Sequence, residues 1–206
     1  MVFNPFQENT YILYDETKEC IIVDAGCNGA AEIDALVNFI DSKGLKPVKL
    51  VNTHCHVDHV LGISALVKKY NIPFEAHEKE IPYLEIAVTN GKVYGFVVEQ
   101  PPMPTKTIKD GDVVKFGNSE LKVFDVPGHS FGSVALYSEP DNFVIVGDVL
   151  FKGSIGRTDL LGGDYDQLMK SIFGKLMVLD GGTIVFPGHG PETNIGSELV
   201  SNPFLT

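Results

Sequence analysis

Short apolar runs alternate along this chain with longer stretches of helical spacing, and glycine or proline marks most of the joins. Residues 10–14 and 20–25 read as two strands around the polar turn 15–19. Ile33, Leu36, Val37 and Ile40 then recur at helical spacing and stop at Gly44, a residue able to take the left-handed conformation that ends helices. A third strand is expected over 48–53, followed by a histidine-rich loop and a helix over 60–70. Residues 78–104 are less regular, with a helix expected near 81–88 and then Pro101, Pro102 and Pro104. This stretch reads as an excursion bordering a site, and plain surface packing is the alternative. Strands follow at 113–116, 121–126, 134–138 and 143–149, then a helix over 165–179 and a last strand over 183–186. Helices that fall between groups of strands define a layered α/β arrangement, and this pattern fits both a four-layer αββα sandwich and a simple α/β sheet.

Composition narrows the reading. The 206 residues, 44% hydrophobic and 21% charged, suit one domain over the whole of 1–206 with a substantial core. The net charge of −11, from 27 acidic and 16 basic residues, offers no basic surface for phosphates, so nucleic acid is not an expected partner. No apolar stretch reaches the roughly 18 residues of a membrane span. The first fourteen positions lack a positive region leading into an apolar one, which points to a cytoplasmic protein with no membrane partner. Cys20, Cys27 and Cys55 form no C-x-x-C pair and read as free thiols in a reducing compartment. Nothing in the pattern specifies an oligomeric state.

Five of the six histidines fall in motifs. In Thr53-His54-Cys55-His56-Val57-Asp58-His59, residues two apart on an extended chain point the same way, so His54 and His56 face one metal and Cys55 points elsewhere. Asp58 and His59 sit where the chain turns toward the next helix, and they diverge toward a second ion about 3.5 to 4 Å from the first. A lone histidine is far more often a surface or satisfied core residue than a ligand; it is the clustering that favours metal here. Imidazole and carboxylate suit Zn, Fe or Mn, and the absence of thiolate ligands argues for a catalytic site. Two ions need more donors, and the chain offers His129, Asp148 and His189. Asp148 ends an apolar strand where a bare carboxylate would be costly to bury, and its two oxygens make it a natural bridge; a helix cap or a salt bridge is the alternative. Val126-Pro127-Gly128-His129 and Phe186-Pro187-Gly188-His189 echo each other, which reads as two related halves that face one site.

The set H-x-H-x-D-H at 54–59, His129, Gly147-Asp148 and Pro187-Gly188-His189 resembles the metallo-β-lactamase superfamily, over nearly the whole chain from Asp24-Ala25-Gly26 onward. The resemblance implies the four-layer αββα sandwich. It places His54, His56 and His129 on the first metal and Asp58, His59 and His189 on the second, with Asp148 bridging. It also implies two divalent ions, zinc first, with iron or manganese as alternatives. Gly153-Ser154-Ile155-Gly156-Arg157-Thr158-Asp159, Gly162-Gly163-Asp164 and Asn202-Pro203-Phe204-Leu205 look like the single-domain glyoxalase II-like hydrolases. β-Lactamases of the best-known class carry cysteine where Asp148 stands, so antibiotic hydrolysis is not implied. The expected activity is hydrolysis of a small-acyl, S-lactoylglutathione-like thioester, with Asp58 as the catalytic group that orients the nucleophile and accepts a proton. Because little sequence follows His189, weak selectivity for glutathione is expected.

Asp24 is expected to orient a metal-bound histidine, with a turn carboxylate as the alternative. Arg157 and Asp159 either meet a substrate carboxylate or pair with each other to shape their loop, and the pairing is favoured. His77 matches no ligand position, and Cys55 reads as a packing residue. Two rivals share the motifs. One is a mononuclear-iron persulfide dioxygenase that uses His54, His56, His129 and Asp148; Pro187-Gly188-His189-Gly190-Pro191-Glu192-Thr193 weighs against it. The other is a metal or redox module of flavodiiron type, which requires a flavin domain. RNA-processing members of the superfamily are disfavoured by the acidic charge.

Overall fold

The α/β alternation read from the sequence is what the computed structural model contains, and it describes all residues 1–206. They form two compact units: Met1–Ile108 with Lys115–Glu120, and Lys109–Val114 with Leu121–Thr206. Each is built on a mixed sheet flanked by helices.

In the first unit the five strands lie side by side in the order Tyr11–Tyr14, Glu19–Val23, Lys46–Val51, Phe74–Ala76 and Lys106–Thr107. Only the first pair is antiparallel. Parallel neighbours require crossovers, and the helices Gly29–Lys43 and Ile63–Tyr70 supply two of them. The longer helix buries Leu36, Val37 and Ile40, three of the four positions picked out by their spacing, and ends on Gly44 at φ 63°. These side chains join Ile22, Leu50, Leu66 and Phe74 in one core.

Differences from the sequence reading cluster in short elements. The expected helix near 81–88 is two pieces, Ile81–Glu85 and Ala87–Val93, interrupted at Ile86. Strand Phe74–Ala76, only three residues long, lay below what alternation can signal. The histidine loop is tightened by a 3₁₀ turn at Val57–His59 before the helix begins at Ile63.

The second unit's sheet runs Thr193–Asn194, Ile184–Pro187, Phe143–Gly147, Val134–Ser138, Ser119–Asp125 and Val113–Phe116, and the adjoining ends of the last two strands with the turn between them, Lys115–Glu120, belong to the first unit. Phe143–Gly147 is parallel to Ile184–Pro187 and antiparallel to Val134–Ser138. The strands that lead to His129 and His189 therefore share one sheet, with two strands between them, and their echoing sequences do not mark two halves. The helix expected over 165–179 is α-helical at Tyr165–Ser171, capped by Asp164 accepting from the Gln167 N–H, and widens into a π-turn at Ile172–Leu176. A helix at Ile195–Ser201, unseen in the sequence, is capped by Asn194. Val126, Ala135, Val144, Leu168, Ile172 and Val185 form this unit's core. No helix is long and apolar enough to cross a membrane.

Candidate metal centre

Three strand ends of the first unit bring its donors together. Asp24 follows Glu19–Val23 in the left-handed region, φ 53°, a conformation that aspartate tolerates better than most residues. Its carboxylate accepts from the Thr53 N–H at 2.7 Å and the Thr53 hydroxyl at 2.6 Å, across from the end of Lys46–Val51. Asn52 clamps the loop by donating from Nδ2 to the carbonyls of His54 at 3.0 Å and His59 at 2.9 Å. The Cys55 N–H donates to Glu80 at 2.7 Å.

These contacts fix which imidazole nitrogen carries the proton. The Thr53 hydroxyl gives its only hydrogen to Asp24, so at 3.2 Å from His54 Nδ1 it accepts, and His54 keeps its lone pair on Nε2. His59 Nδ1 stands 3.2 Å from Asp24 Oδ2, an ion-pair approach of the carboxylate to the ring. His54 packs 4.8 Å from His56 and 4.1 Å from His59 between ring centroids, and donor atoms of Asp24, His54 and His59 lie within 4.8 Å of one another. His59 Nε2 is 3.7 Å from Asp58 Oδ2. Tyr83, in the excursion after strand Phe74–Ala76, packs edge-on to His56 at 5.1 Å.

A third carboxylate stands behind His59. Glu8 is fully buried with Oε1 3.9 Å from His59 Nδ1, and burial pushes its carboxyl well above the ordinary range, an effect His59 opposes.

In the second unit, Asp148 lies just past Phe143–Gly147 and His189 just past the parallel neighbour Ile184–Pro187. The Gly188 N–H donates to the Gly147 carbonyl at 2.8 Å. Asp148 Oδ2 is 3.5 Å from His189 Nε2 and 3.6 Å from His129 Nε2, so one half-buried carboxylate faces two imidazoles. His129 Nδ1 is 2.9 Å from the Arg157 carbonyl, which can only accept, so this imidazole also presents Nε2.

The strap that carries Arg157 fits only with glycine at 156: a Cβ there would stand 1.9 Å from the Asp148 carbonyl oxygen and 3.2 Å from His129 Nδ1. Gly156→Ala is expected to push the strap outward, destabilise the fold by about 1–3 kcal/mol and weaken metal binding roughly 10- to 100-fold. Denaturant unfolding and metal competition of the variant check this, and unchanged metal affinity would show that the strap does not orient His129.

Other residues fall as follows. Arg157 holds Asp159 in a two-pronged ion pair, 2.7 and 2.8 Å, on an exposed loop, and the hydrogen bonds from Arg157 hold the Asp159 carboxyl down at about 2. His77 caps the turn after its strand, accepting from the Lys79 N–H. Cys55 is fully buried, and burial raises its thiol well above the ordinary range; Cys20 and Cys27 are pushed up to about 12. None is set up as a nucleophile. The roles of Thr53, Asn52, Glu8 and Gly156 escaped sequence reasoning, because a buried polar residue or a tight glycine looks like any turn residue until its partner is in place.

A cavity of 510 Å³ in the second unit opens at His129, Asp148 and His189 and is walled by Phe151, Lys152 and Ile155. Lys152 makes no ion pair, so with Arg157 engaged by Asp159 it is the cavity's uncommitted cation.

The fold and the donor set define an α/β protein equipped to bind metal through imidazole Nε2 and carboxylate. Residues 3–189 match the Metallo-beta-lactamase superfamily, and the chain belongs to that family as a metal-dependent hydrolase. It is 38% identical to the probable metallo-hydrolase YqgX of Bacillus subtilis (strain 168), over 100% of this chain and 95% of that one. It is 32% identical to the hydroxyacylglutathione hydrolase GloC of Haemophilus influenzae, covering 97% and 93% of the two chains. Among solved structures, BLEG-1 B3 metallo-beta-lactamase matches with a TM-score of 0.91 and 37% identity, covering 99% of this chain and 97% of that one. TTHA1623 in a di-iron-bound form matches with a TM-score of 0.90 and 35% identity, covering 100% and 98%. The fold is thus the metallo-β-lactamase fold expected from the histidine motifs.

Proposed function

We propose that this protein is a two-metal thioester hydrolase for small hydroxyacyl groups. The observation that carries the reading is that His54 and His129 each have Nδ1 hydrogen-bonded to a neighbour so that Nε2 presents its lone pair, the arrangement metal-ligating histidines use. In this reading His54, His56 and His129 would hold the first ion, Asp58, His59 and His189 the second, and Asp148 would contribute to both. A divalent zinc, iron or manganese ion held there would acidify a water near neutral pH and polarise the thioester carbonyl. Asp58, with Oδ2 3.7 Å from His59 Nε2, orients the attacking water and accepts its proton. The oxygen adds to the carbonyl carbon, the carbon–sulfur bond breaks, and the thiolate leaves and takes up a proton, giving a hydroxy acid and a thiol. Phe151 and Ile155 cover the acyl chain while Lys152 faces the anionic part of the substrate. Similarity to the GloC hydroxyacylglutathione hydrolase supports this choice of substrate.

The test is hydrolysis of S-lactoylglutathione, and of the same acyl group on a small neutral thiol, by protein loaded with zinc, iron or manganese. Lys152→Met is expected to raise KM for the glutathione thioester two- to fivefold, as an exposed charge pair of about 0.5–1 kcal/mol would, with kcat unchanged and the difference lost in high salt. An unaltered KM would remove Lys152 from substrate binding. A second reading, β-lactam hydrolysis, is favoured by the 37% identity to BLEG-1, so a chromogenic cephalosporin belongs in the same panel. Cephalosporin cleavage without thioester cleavage would replace the proposal. Oxygen uptake with a thiol persulfide and no hydrolysis would replace it with the dioxygenase.

A further inference from the structure

The N-terminal ribbon pairs Val2 with Asn9 and Phe3 with Glu8, and its polar side chains turn inward toward the second unit-one donor pair, Asp58 and His59. Asn4 Nδ2 donates to the Asp58 carbonyl at 3.0 Å and the Gly26 carbonyl at 2.9 Å, and Glu32 anchors Asn4 by accepting its N–H. Glu8 lies deeper. Its Oε2 accepts from the Thr10 hydroxyl at 2.9 Å, and that hydroxyl accepts from the Gly26 N–H at 3.1 Å. Its Oε1 accepts no hydrogen bond, though it is buried, and stands 3.9 Å from His59 Nδ1. The packing leaves no slack: a Cβ on residue 26 would sit 2.0 Å from Glu8 Oε2 and 2.6 Å from the Asp58 carbonyl oxygen.

We propose that Glu8 is a positioning residue for His59, and that the ribbon is a brace holding Asp58 and His59 in place for the second ion. A polar carboxyl group buried at such cost, with one oxygen facing only an imidazole edge, is retained for where it puts its neighbours. Removing it opens space behind His59, and the ring then loses one of the two walls that fix its plane; Asp24 remains as the other. His54 depends on Thr53 and Asp24, not on Glu8, so the effect falls on one ion. The inference rests on the two-ion reading given above.

The experiment challenges zinc-loaded protein with rising chelator and counts the ions as they leave, for wild type, Glu8→Gln, Glu8→Ala, Glu8→Leu and His59→Ala. Glutamine keeps the shape and the acceptor for Thr10 and is expected to hold both ions within about threefold of wild type. Alanine and leucine should release the ion that His59→Ala loses roughly 10- to 100-fold more readily, and keep the other. If alanine prevents folding, leucine, which fills the space, decides the matter. Equal weakening of both ions, or none, in the leucine variant overturns the role of Glu8. Wild type that carries a single ion overturns the two-ion reading instead.

Discussion

Asp148→Ala is expected to lower kcat/KM for thioester hydrolysis by at least about a thousandfold, ~4 kcal/mol of transition-state stabilisation. Asp148 is the carboxylate that both second-unit imidazoles face, at 3.5 and 3.6 Å. In the two-metal reading its loss takes a donor from each ion and leaves two cations without their shared anion. Two unit charges about 4 Å apart repel by roughly 4 kcal/mol at an effective dielectric of 20, and divalent ions by more, so the variant should retain about one ion. Asp148→Asn, which keeps the shape and one carbonyl oxygen, should fall between. Elemental analysis and steady-state kinetics check both. An alanine variant with two ions and more than a tenth of wild-type activity would end the bridging assignment.

What the sequence made legible was periodic or clustered. The helix Gly29–Lys43 announced itself through Leu36, Val37 and Ile40 and its terminal Gly44, and Val134–Ser138 was bounded to the residue. The donors were legible because H-x-H-x-D-H carries its chemistry in its spacing. The shell behind them was legible only at Asp24, expected to orient a histidine. Thr53 fixes the His54 tautomer while bonded to Asp24, yet nothing in a sequence says that the end of one strand lies beside the end of another. The Arg157 carbonyl acts on His129 through its backbone, which no side-chain pattern signals, while its side chain closes on Asp159 in the pairing the sequence favoured. The broken helix after Ile81, the π-turn at Ile172–Leu176 and the strand Phe74–Ala76 are shorter than the windows that periodicity needs.

Stripping the metals is expected to lower the melting temperature by about 10–20 °C and to abolish hydrolysis, with both restored by readdition of zinc, iron or manganese. Three of the donors are almost wholly buried, His54 at 1%, His59 at 0% and His129 at 2% exposure, and Glu8, Asp24 and Asp58 crowd the first unit's set with carboxylates. Such groups lose their hydration on folding, and a cation is the partner that offsets this loss for imidazole Nε2 and carboxylate together. Ions that bind the folded chain and not the unfolded one stabilise it by about 4 kcal/mol each when free metal is a thousandfold above Kd. For a chain of roughly 200 residues each kcal/mol moves the midpoint by about 2–4 °C, so two ions correspond to about 16–32 °C, and metal bound by the unfolded histidines brings this down to the expected range. Thermal unfolding followed by circular dichroism, on loaded, chelated and reloaded protein of verified metal content, measures it. A melting temperature that stays within about 2 °C, with activity intact after verified removal, would mean that these donors are not a metal site.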